Sequence, residues 1–411
     1  MSERNIAIAG GGAAGFFAAI ACAELAPQAR ITIFEATAHP LAKVSVSGGG
    51  RCNVTHACFE PRDLVKRYPR GHRELLGAFH RWQPRDTVAW FSQRGVELKT
   101  EPDGRMFPVT DSSQTIVDCL KAAAEHAGVQ LRLRCGLVSA ARIQSGGFEI
   151  RATTGEPVHA DALLLATGGN RSSAGYDIAA NLGHTVVPPV PSLFTFNVAD
   201  PRIQDLAGIS VADAVASVPE LRLSERGPVL VTHWGLSGPG ILRLSAWGAR
   251  ELHSREYRFP LWLNWAGGRS LEEVRAELAA QRVVHPKKHV SGSPILAIPQ
   301  RLWERLVTAA GVKPDVIWTS MPNSAVNALA DQITAGEYAV TGKSMNKDEF
   351  VTCGGVRLSD VDFKTMQSRI CPGLFFAGEV LDIDGVTGGF NFQAAWTTGR
   401  LAGQGMAGFS L

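Results

Sequence analysis

Residues 6–15, IAIAGGGAAG, constrain the fold more than any other stretch of the chain. IAIA is a short, unbroken apolar run, the pattern of a strand buried on both faces. Gly10, Gly12 and Gly15 follow in the G-x-G-x-x-G spacing, and residues 13–26, rich in Ala and Leu, read as a helix that stops near Pro27. A second strand, RITIFEA, delivers Glu35 twenty residues after Gly15. Strand, glycine turn, helix, strand and acid in that order predict a βαβ unit that holds a dinucleotide. Gly10 permits the tight turn, Gly12 and Ala14 leave room for a pyrophosphate at the helix start, and Gly15 lets helix and strand pack closely. Free N–H groups and a helix dipole worth roughly half a positive charge favour the anion. Glu35 suits unphosphorylated ribose hydroxyls, as in FAD or NAD, and would repel a 2′-phosphate. The same spacing recurs in GQGMAG at 403–408, but no strand precedes it, so no dinucleotide site is expected there.

Residues 5–23 carry no charge and could pass for a leader or membrane anchor. One Arg and one Glu precede the run, three glycines break it, and it runs into Glu24. A strand–turn–helix is the expected form, with no membrane association. The seven cysteines are scattered, odd in number and without a C-x-x-C pair. That pattern fits a reduced, cytoplasmic protein with neither a disulfide framework nor a metal site. A net charge of +3 argues neither for nor against nucleic acid.

An NAD dehydrogenase would continue with alternating strands and helices. Here residues 129–159 alternate like a small β meander, and DALLLATGG (161–169) is a buried strand ending in Ala166, Thr167 and Gly168. A last strand, GLFFAGEV, ends in Gly378 and Glu379. Asp384, Gly388, Gly389, Phe390 and Asn391 then lead into a final helix. The expected fold is α/β: a Rossmann-like, glutathione-reductase-like three-layer FAD-binding domain, split by an insert. Its first part spans 1–190 and its last part 346–411. The insert, 191–345, is expected to be β-rich and barrel-like over 191–265 and helical over 266–345, and to roof the cofactor.

This layout resembles the two-dinucleotide-binding flavoprotein superfamily. SGGGRCNVTH (47–56), THWGLSGPGILRLS (232–245) and residues 351–403 narrow the likeness. Together they resemble the family labelled NAD(P)/FAD-dependent oxidoreductase or aminoacetone oxidase, related to the BaiN-type bile-acid reductases. The resemblance implies FAD as cofactor, held also by Val138, Ala166–Gly168, Gly378, Glu379, Asp384 and Gly388–Asn391, and a final helix aimed at the flavin pyrimidine. It places residues 43–53 beside the cofactor. Lys43 would reach the pyrophosphate. Ser47 and Gly48, Gly49 and Gly50 would lay backbone against the isoalloxazine, where any Cβ would clash. Arg51 and Asn53 would donate hydrogen bonds near flavin or substrate. Cys52 beside a flavin could be a redox partner or a covalent tether, but without a resolving C-x-x-C cysteine it reads as a small buried filler.

His233, at a strand end in THWGLSGPG, is the candidate acid or base of the insert. Arg105 or Phe107 of DGRMFPVT could also face the flavin. Basic residues crowd 62–85 with Tyr68 and Trp82 among them, a pattern read as a solvated face, so a nucleic-acid partner is not expected. No second strand–GxGxxG–helix unit appears, so the electron donor stays open, with NADH or NADPH docking transiently as one candidate. The leading expectation is an FAD-dependent oxidoreductase passing hydride to or from a small organic substrate, either reducing an activated C=C bond or oxidising an amine. The alternatives are an RNA-modifying flavoprotein and a flavin carrier without turnover.

Overall fold

Five segments pair in parallel, four mostly apolar and the edge strand β3 exposed: β1 (Asn5–Ala9), β2 (Arg30–Phe34), β3 (Gln130–Arg132), β4 (Ala162–Leu165) and β5 (Leu374–Phe376). In space they run β3-β2-β1-β4-β5. β4 is buried throughout and β1 over Ile6–Ala9, which is why both read as unbroken apolar runs. The order reverses between β1 and β4, so the chain leaves their carboxyl ends in opposite directions and opens a crevice there. The computed structural model describes residues 4–144, 146–169, 174–344 and 351–409. Contacts divide the chain into Met1–Pro191 with Lys347–Leu411, and Ser192–Asn346.

Helix α1 (Ala13–Leu25) crosses from β1 to β2 and is buried at every position from Ala14 to Ala23. Interior packing therefore explains the uncharged run. Among the described residues no helix is long and apolar enough to cross a membrane. Helix α2 (Ala42–Gly50) follows β2, and helix α3 (Phe390–Gly408) follows β5 and packs on α1. A Cβ added at Gly399 would stand 2.7 Å from the Ala14 carbonyl oxygen, and one at Gly403 would stand 2.5 Å from that of Ala18. Of the 403–408 glycines, Gly403 is thus pressed against the backbone of α1 and Gly405 against the Thr365 carbonyl, while Gly408 has an open side.

The meander comprises Leu137–Arg142, Phe148–Ala152 and Val158–Ala160, while its expected first residues join the parallel sheet as β3.

In the second unit six strands close an antiparallel barrel, in the order Thr195–Val198, Gly235–Ser237, Leu223–Thr232, Ser210–Val218, Phe259–Asn264 and Gly336–Ser344. Three helices, Leu271–Val284, Gln300–Ala309 and Asn323–Thr334, fall between the last two strands in sequence. The expected helical stretch to 345 is corrected here, since Gly336–Ser344 is a strand. Its residues alternate buried and exposed from Gly336 to Thr341, and Tyr338 Oη accepts the Trp265 indole N–H in the core at 3.1 Å. The expected boundary at 345/346 lies outside the described residues.

Candidate functional site

The site begins where β1 ends. Gly10 has φ +107°, and a Cβ there would stand 2.4 Å from the Ala166 carbonyl oxygen at the end of β4. Gly15 is equally confined, 2.0 Å from the Gly10 carbonyl. Gly12 differs: a Cβ would meet no protein atom within 4 Å. Gly12 caps α1 without a side-chain hydrogen bond, and the first turn holds no acid. Its N–H groups remain available to an anion.

Glu35 is locked onto this turn. Its Oε2 accepts the Gly11 N–H at 2.8 Å, and its Oε1 accepts the Thr37 N–H and hydroxyl, both at 2.8 Å. A carboxylate offers about four acceptor positions, which leaves about one for a ribose hydroxyl. The Glu35 carbonyl accepts the Cys135 N–H at 2.8 Å, tying the acid to the segment just before the strand Leu137–Arg142, which carries the half-exposed Val138. Past β4, Gly168 has φ +75° and again an open side. The Thr167 hydroxyl oxygen would stand 2.0 Å from a Cβ at Gly175.

The three consecutive glycines form a left-handed corner. The helical turns of α2 stop at Ser47 (ψ 151°), and φ is +59°, +68° and +81° at Gly48, Gly49 and Gly50, then +59° at Cys52. L side chains resist that conformation by roughly 1–2 kcal/mol per residue. The expected Cβ clash has a protein source only at Gly48, 3.0 Å from the Phe107 ring. At Gly49 and Gly50 backbone handedness favours glycine, and the space beside them is open to 4 Å. The Ser47 carbonyl accepts the Cys52 N–H at 3.0 Å and closes the corner. The Cys52 thiol is fully buried, which pushes its pKa up to about 12 although Ser47 hydrogen-bonds to it, so it stays protonated at neutral pH.

Arg51 leaves the corner toward acids. Its Nη1 donates to Glu101 Oε1 at 2.7 Å and lies 3.5 Å from Asp111 Oδ1, while its guanidinium sits 4.0 Å from the Phe107 ring centre. Arg105 pairs with Asp103 and Glu101 instead of standing alone. Asn53 turns inward. With its amide oriented by the surrounding network, Nδ2 donates to the Thr55 carbonyl at 3.1 Å and Oδ1 accepts the Gly389 N–H at 2.9 Å.

Gly389 caps α3 with φ +88°, and a Cβ there would stand 2.5 Å from the Thr55 carbonyl oxygen. Further bonds fasten this helix start. Asn391 bridges both backbone groups of Gly385, and Tyr68 Oη donates to the Phe390 carbonyl at 2.6 Å. The His56 ring stacks on Phe390, with centres 4.6 Å apart. Its Nε2 lies 3.1 Å from the Asp103 carbonyl and so carries the proton, which leaves Nδ1 a buried acceptor with no partner among the described residues. Burial lowers the His56 pKa and keeps the ring neutral.

A second network lies after β5. Glu379 accepts Lys43 Nζ at 2.6 Å, the Thr352 N–H at 2.8 Å and the Gly169 N–H at 3.4 Å. Lys43, expected at the pyrophosphate, is thus drawn to a carboxylate. Gly378, with φ +75°, would bring a Cβ 2.8 Å from Ala14. Asp384, expected at the cofactor, is fully buried and both its oxygens are held by Arg70. The Gly388–Gly389 turn follows it, with positive φ at both residues. His233 lies in the second unit, exposed in the turn between Leu223–Thr232 and Gly235–Ser237.

Sequence reasoning did not single out Tyr68, Thr352, Tyr176 or His56 for the site. His56 and Thr352 carried a signal, His56 as the last residue of the motif that begins at Ser47 and Thr352 as the second residue of the 351–403 motif. The Tyr176 hydroxyl is buried with no partner among the described residues, and burial and nearby Glu379 and Asp382 raise its pKa. Unfilled space beside Gly12, Gly49, Gly50 and Gly168, with unpartnered polar atoms on His56 and Tyr176, is what a cradle for a large polar cofactor requires.

A parallel sheet in this order, with an uncapped glycine turn and an acid at its switch point, defines a dinucleotide-binding Rossmann protein. The chain belongs to the HI0933-like protein Rossmann domain family, whose model matches residues 4–405, and with it to the flavoprotein oxidoreductases. It is 32% identical to a ribosomal RNA dihydrouridine synthase of Escherichia coli, over 97% of this chain and 96% of that one. It is 27% identical to a 3-dehydro-bile acid delta(4,6)-reductase of Clostridium scindens, over 98% and 99%. A solved 3-ketosteroid-delta4-(5alpha)-dehydrogenase from Rhodococcus jostii shares the fold, with TM-score 0.53 and 15% identity over 99% of this chain and 98% of that one.

Proposed function

We propose that this chain is an FAD-dependent reductase that saturates a carbon–carbon double bond conjugated to a carbonyl. The reading rests on one observation: Gly12, Gly49, Gly50 and Gly168 have open sides in motifs that lead off β1, α2 and β4. The names of the two near-full-length relatives supply the reaction class, since each denotes hydrogen added across a C=C bond.

FAD bound there would supply hydride at the flavin. Gly12 and Ala14 would take its diphosphate, Glu35 a ribose hydroxyl, and Val138 would flank the adenine. Ala166–Gly168, Ser47–Gly50, Gly378 and Gly388–Asn391 would line the remainder. Asn53 holds the start of α3, whose dipole favours negative charge at that end. Arg51, steadied by Glu101 and Phe107, would polarise the substrate carbonyl. Its partners fix its direction before substrate arrives, so little orientation entropy remains to be lost. Neutral His56 would accept a hydrogen bond at Nδ1. His233 lies in an exposed turn, and its place as a candidate rests on the motif alone. NADH or NADPH would reduce the holoprotein in passing.

The test is direct. Purified protein should be yellow, should bleach anaerobically with NADH or NADPH, and should regain colour on addition of a conjugated enone. Colourless protein that takes up no FAD on reconstitution would overturn the proposal.

A second reading is favoured by the 32% identity to the synthase over nearly the whole chain. Uracil carries a C=C bond conjugated to a carbonyl, so the same chemistry would act on a uridine in RNA. Incubating reduced protein with unmodified ribosomal RNA transcripts should then add two mass units to a uridine. Transcripts of unchanged mass would remove this reading.

A further inference from the structure

The charge of this chain is unevenly placed. Residues 61–85 contain seven Lys and Arg against two Asp and Glu, a local +5, so a chain of net +3 carries −2 over the remainder. The segment folds as Pro61–Leu64, Val65–Arg67 and the helix His72–Phe79, packed on one another, and leads into the helix Pro84–Ser92. Its apolar residues Leu64, Tyr68, Leu75 and Phe79 are buried, while Arg62, Lys66, Arg67, Arg73, Arg81 and Arg85 are exposed.

The cations divide by employment. Arg70 is committed to Asp384, Arg81 to the Lys364 carbonyl and Gln404, and Lys66 to Asp63. Arg62, Arg67, Arg73 and Arg85 have no carboxylate partner among the described residues. Four guanidiniums without an ion-pair partner among the described residues, on so short a segment, repel one another. The Arg85 guanidinium also lies over the partly exposed Phe59 ring, 4.4 Å from its centre, a platform on which a base can stack.

The segment also borders the site. The Arg67 carbonyl accepts the Val386 N–H at 2.9 Å, Tyr68 bonds to the Phe390 carbonyl, and a Cβ at Gly71 would stand 2.6 Å from Ile383. Residues 67–71 therefore run beside the loop that enters α3.

We propose that the exposed face of residues 62–85 is a phosphate-docking surface for an RNA strand, with Arg62, Arg67, Arg73 and Arg85 as its contacts. The proposal rests on the RNA reading of the function. Phosphates held there keep the strand beside the entry to α3, where a unstacked uridine would reach the site. The fixed spacing of a sugar–phosphate chain satisfies several guanidiniums at once, as a small free substrate would not.

The experiment uses full-length FAD-loaded protein and unmodified ribosomal RNA transcribed in vitro, with binding followed across a salt series. Wild type should bind with a steep loss of affinity as salt rises. A quadruple variant (Arg62→Gln, Arg67→Gln, Arg73→Gln, Arg85→Gln) should flatten the slope of log K against log salt by about 0.7 per lost contact, roughly 3 in all. Flavin content and anaerobic reduction should be unchanged. A quadruple Arg→Lys variant should restore most of the slope. Wild type that does not bind at low salt, or a Gln variant that keeps the wild-type slope, overturns the surface. Reduction of a free enone in parallel separates the failures: if the enone is reduced and RNA ignored, the surface falls and the reductase stands.

Discussion

Asn53 accepts the Gly389 N–H at 2.9 Å and donates to the Thr55 carbonyl at 3.1 Å, so one side chain joins the glycine corner to the start of the C-terminal helix. The two residues are 336 positions apart, and the bond makes Asn53 a positioning residue for α3. Asn53→Ala leaves a buried N–H and a buried carbonyl short of partners, at a cost of about 1–3 kcal/mol. The urea midpoint should fall and FAD content should fall with it. A variant with the wild-type midpoint and full flavin would remove this role.

Glu35→Ala should weaken FAD binding by about 1.5–3 kcal/mol, roughly 10- to 150-fold, the worth of hydrogen bonds to a charged group. The Gly11 and Thr37 N–H groups lose their acceptor in the same step. Titration of apoprotein with FAD by fluorescence quenching reads the change. Undiminished affinity would show that Glu35 only braces the turn.

Gly49 separates two causes that coincide in the wild type. Its φ of +68° excludes a β-branched residue, whereas Asn tolerates that conformation. Gly49→Val should lower thermal stability, by roughly 1–2 kcal/mol at least. Gly49→Asn should fold with near-normal stability yet lose flavin, because its side chain occupies the open space. Normal flavin absorbance in the folded Asn variant would mean that the space serves something else.

Burial at Cys52 leaves about one thiolate in ten thousand at pH 8 if its pKa is near 12. Iodoacetamide should therefore spare Cys52 in native protein and label it after denaturation. Cys52→Ala should leave anaerobic reduction by NADH or NADPH unaffected. Loss of reducibility in that variant would restore a redox role for the thiol.

His184 supplies a pH dependence. Its Nδ1–H donates to the Ala179 carbonyl at 3.1 Å, and its Nε2 accepts the Ser368 hydroxyl at 2.7 Å. Ser368 receives two backbone N–H groups at Ile370 and Cys371, so its own proton points to His184. Burial lowers the His184 pKa below 6.5. Between the lowered value and 6.5 the unfolded chain binds the proton more readily, so stability is full above pH 6.5 and declines as pH falls through it. Urea midpoints from pH 8 to 5 should show this decline in wild type and a shallower one in His184→Gln. Parallel pH profiles for the two proteins would locate the acid sensitivity elsewhere.

The first βαβ unit was legible because its signals are local. Buried strands, a glycine turn, an alanine-rich helix and an acid at the next strand end all follow from neighbours in sequence. The strand Gly336–Ser344 was also legible in principle, since GEYAVT alternates with period two, but the helical stretch before it drew the reading past its start. The positive φ of Gly48, Gly49 and Gly50 left its mark as three glycines, though the reason for them did not.

What sequence alone determined is local: that β1, β2, β4 and β5 are strands, where glycines let the backbone turn left-handed, and that a dinucleotide frame starts at β1. Tertiary structure decided which charges and amides meet. Asn53 with Gly389, Lys43 with Glu379 and Arg70 with Asp384 are each more than three hundred residues apart. Their pairing depends on the sheet placing β5 next to β4 and α3 on α1, a spatial order that no short window of residues encodes.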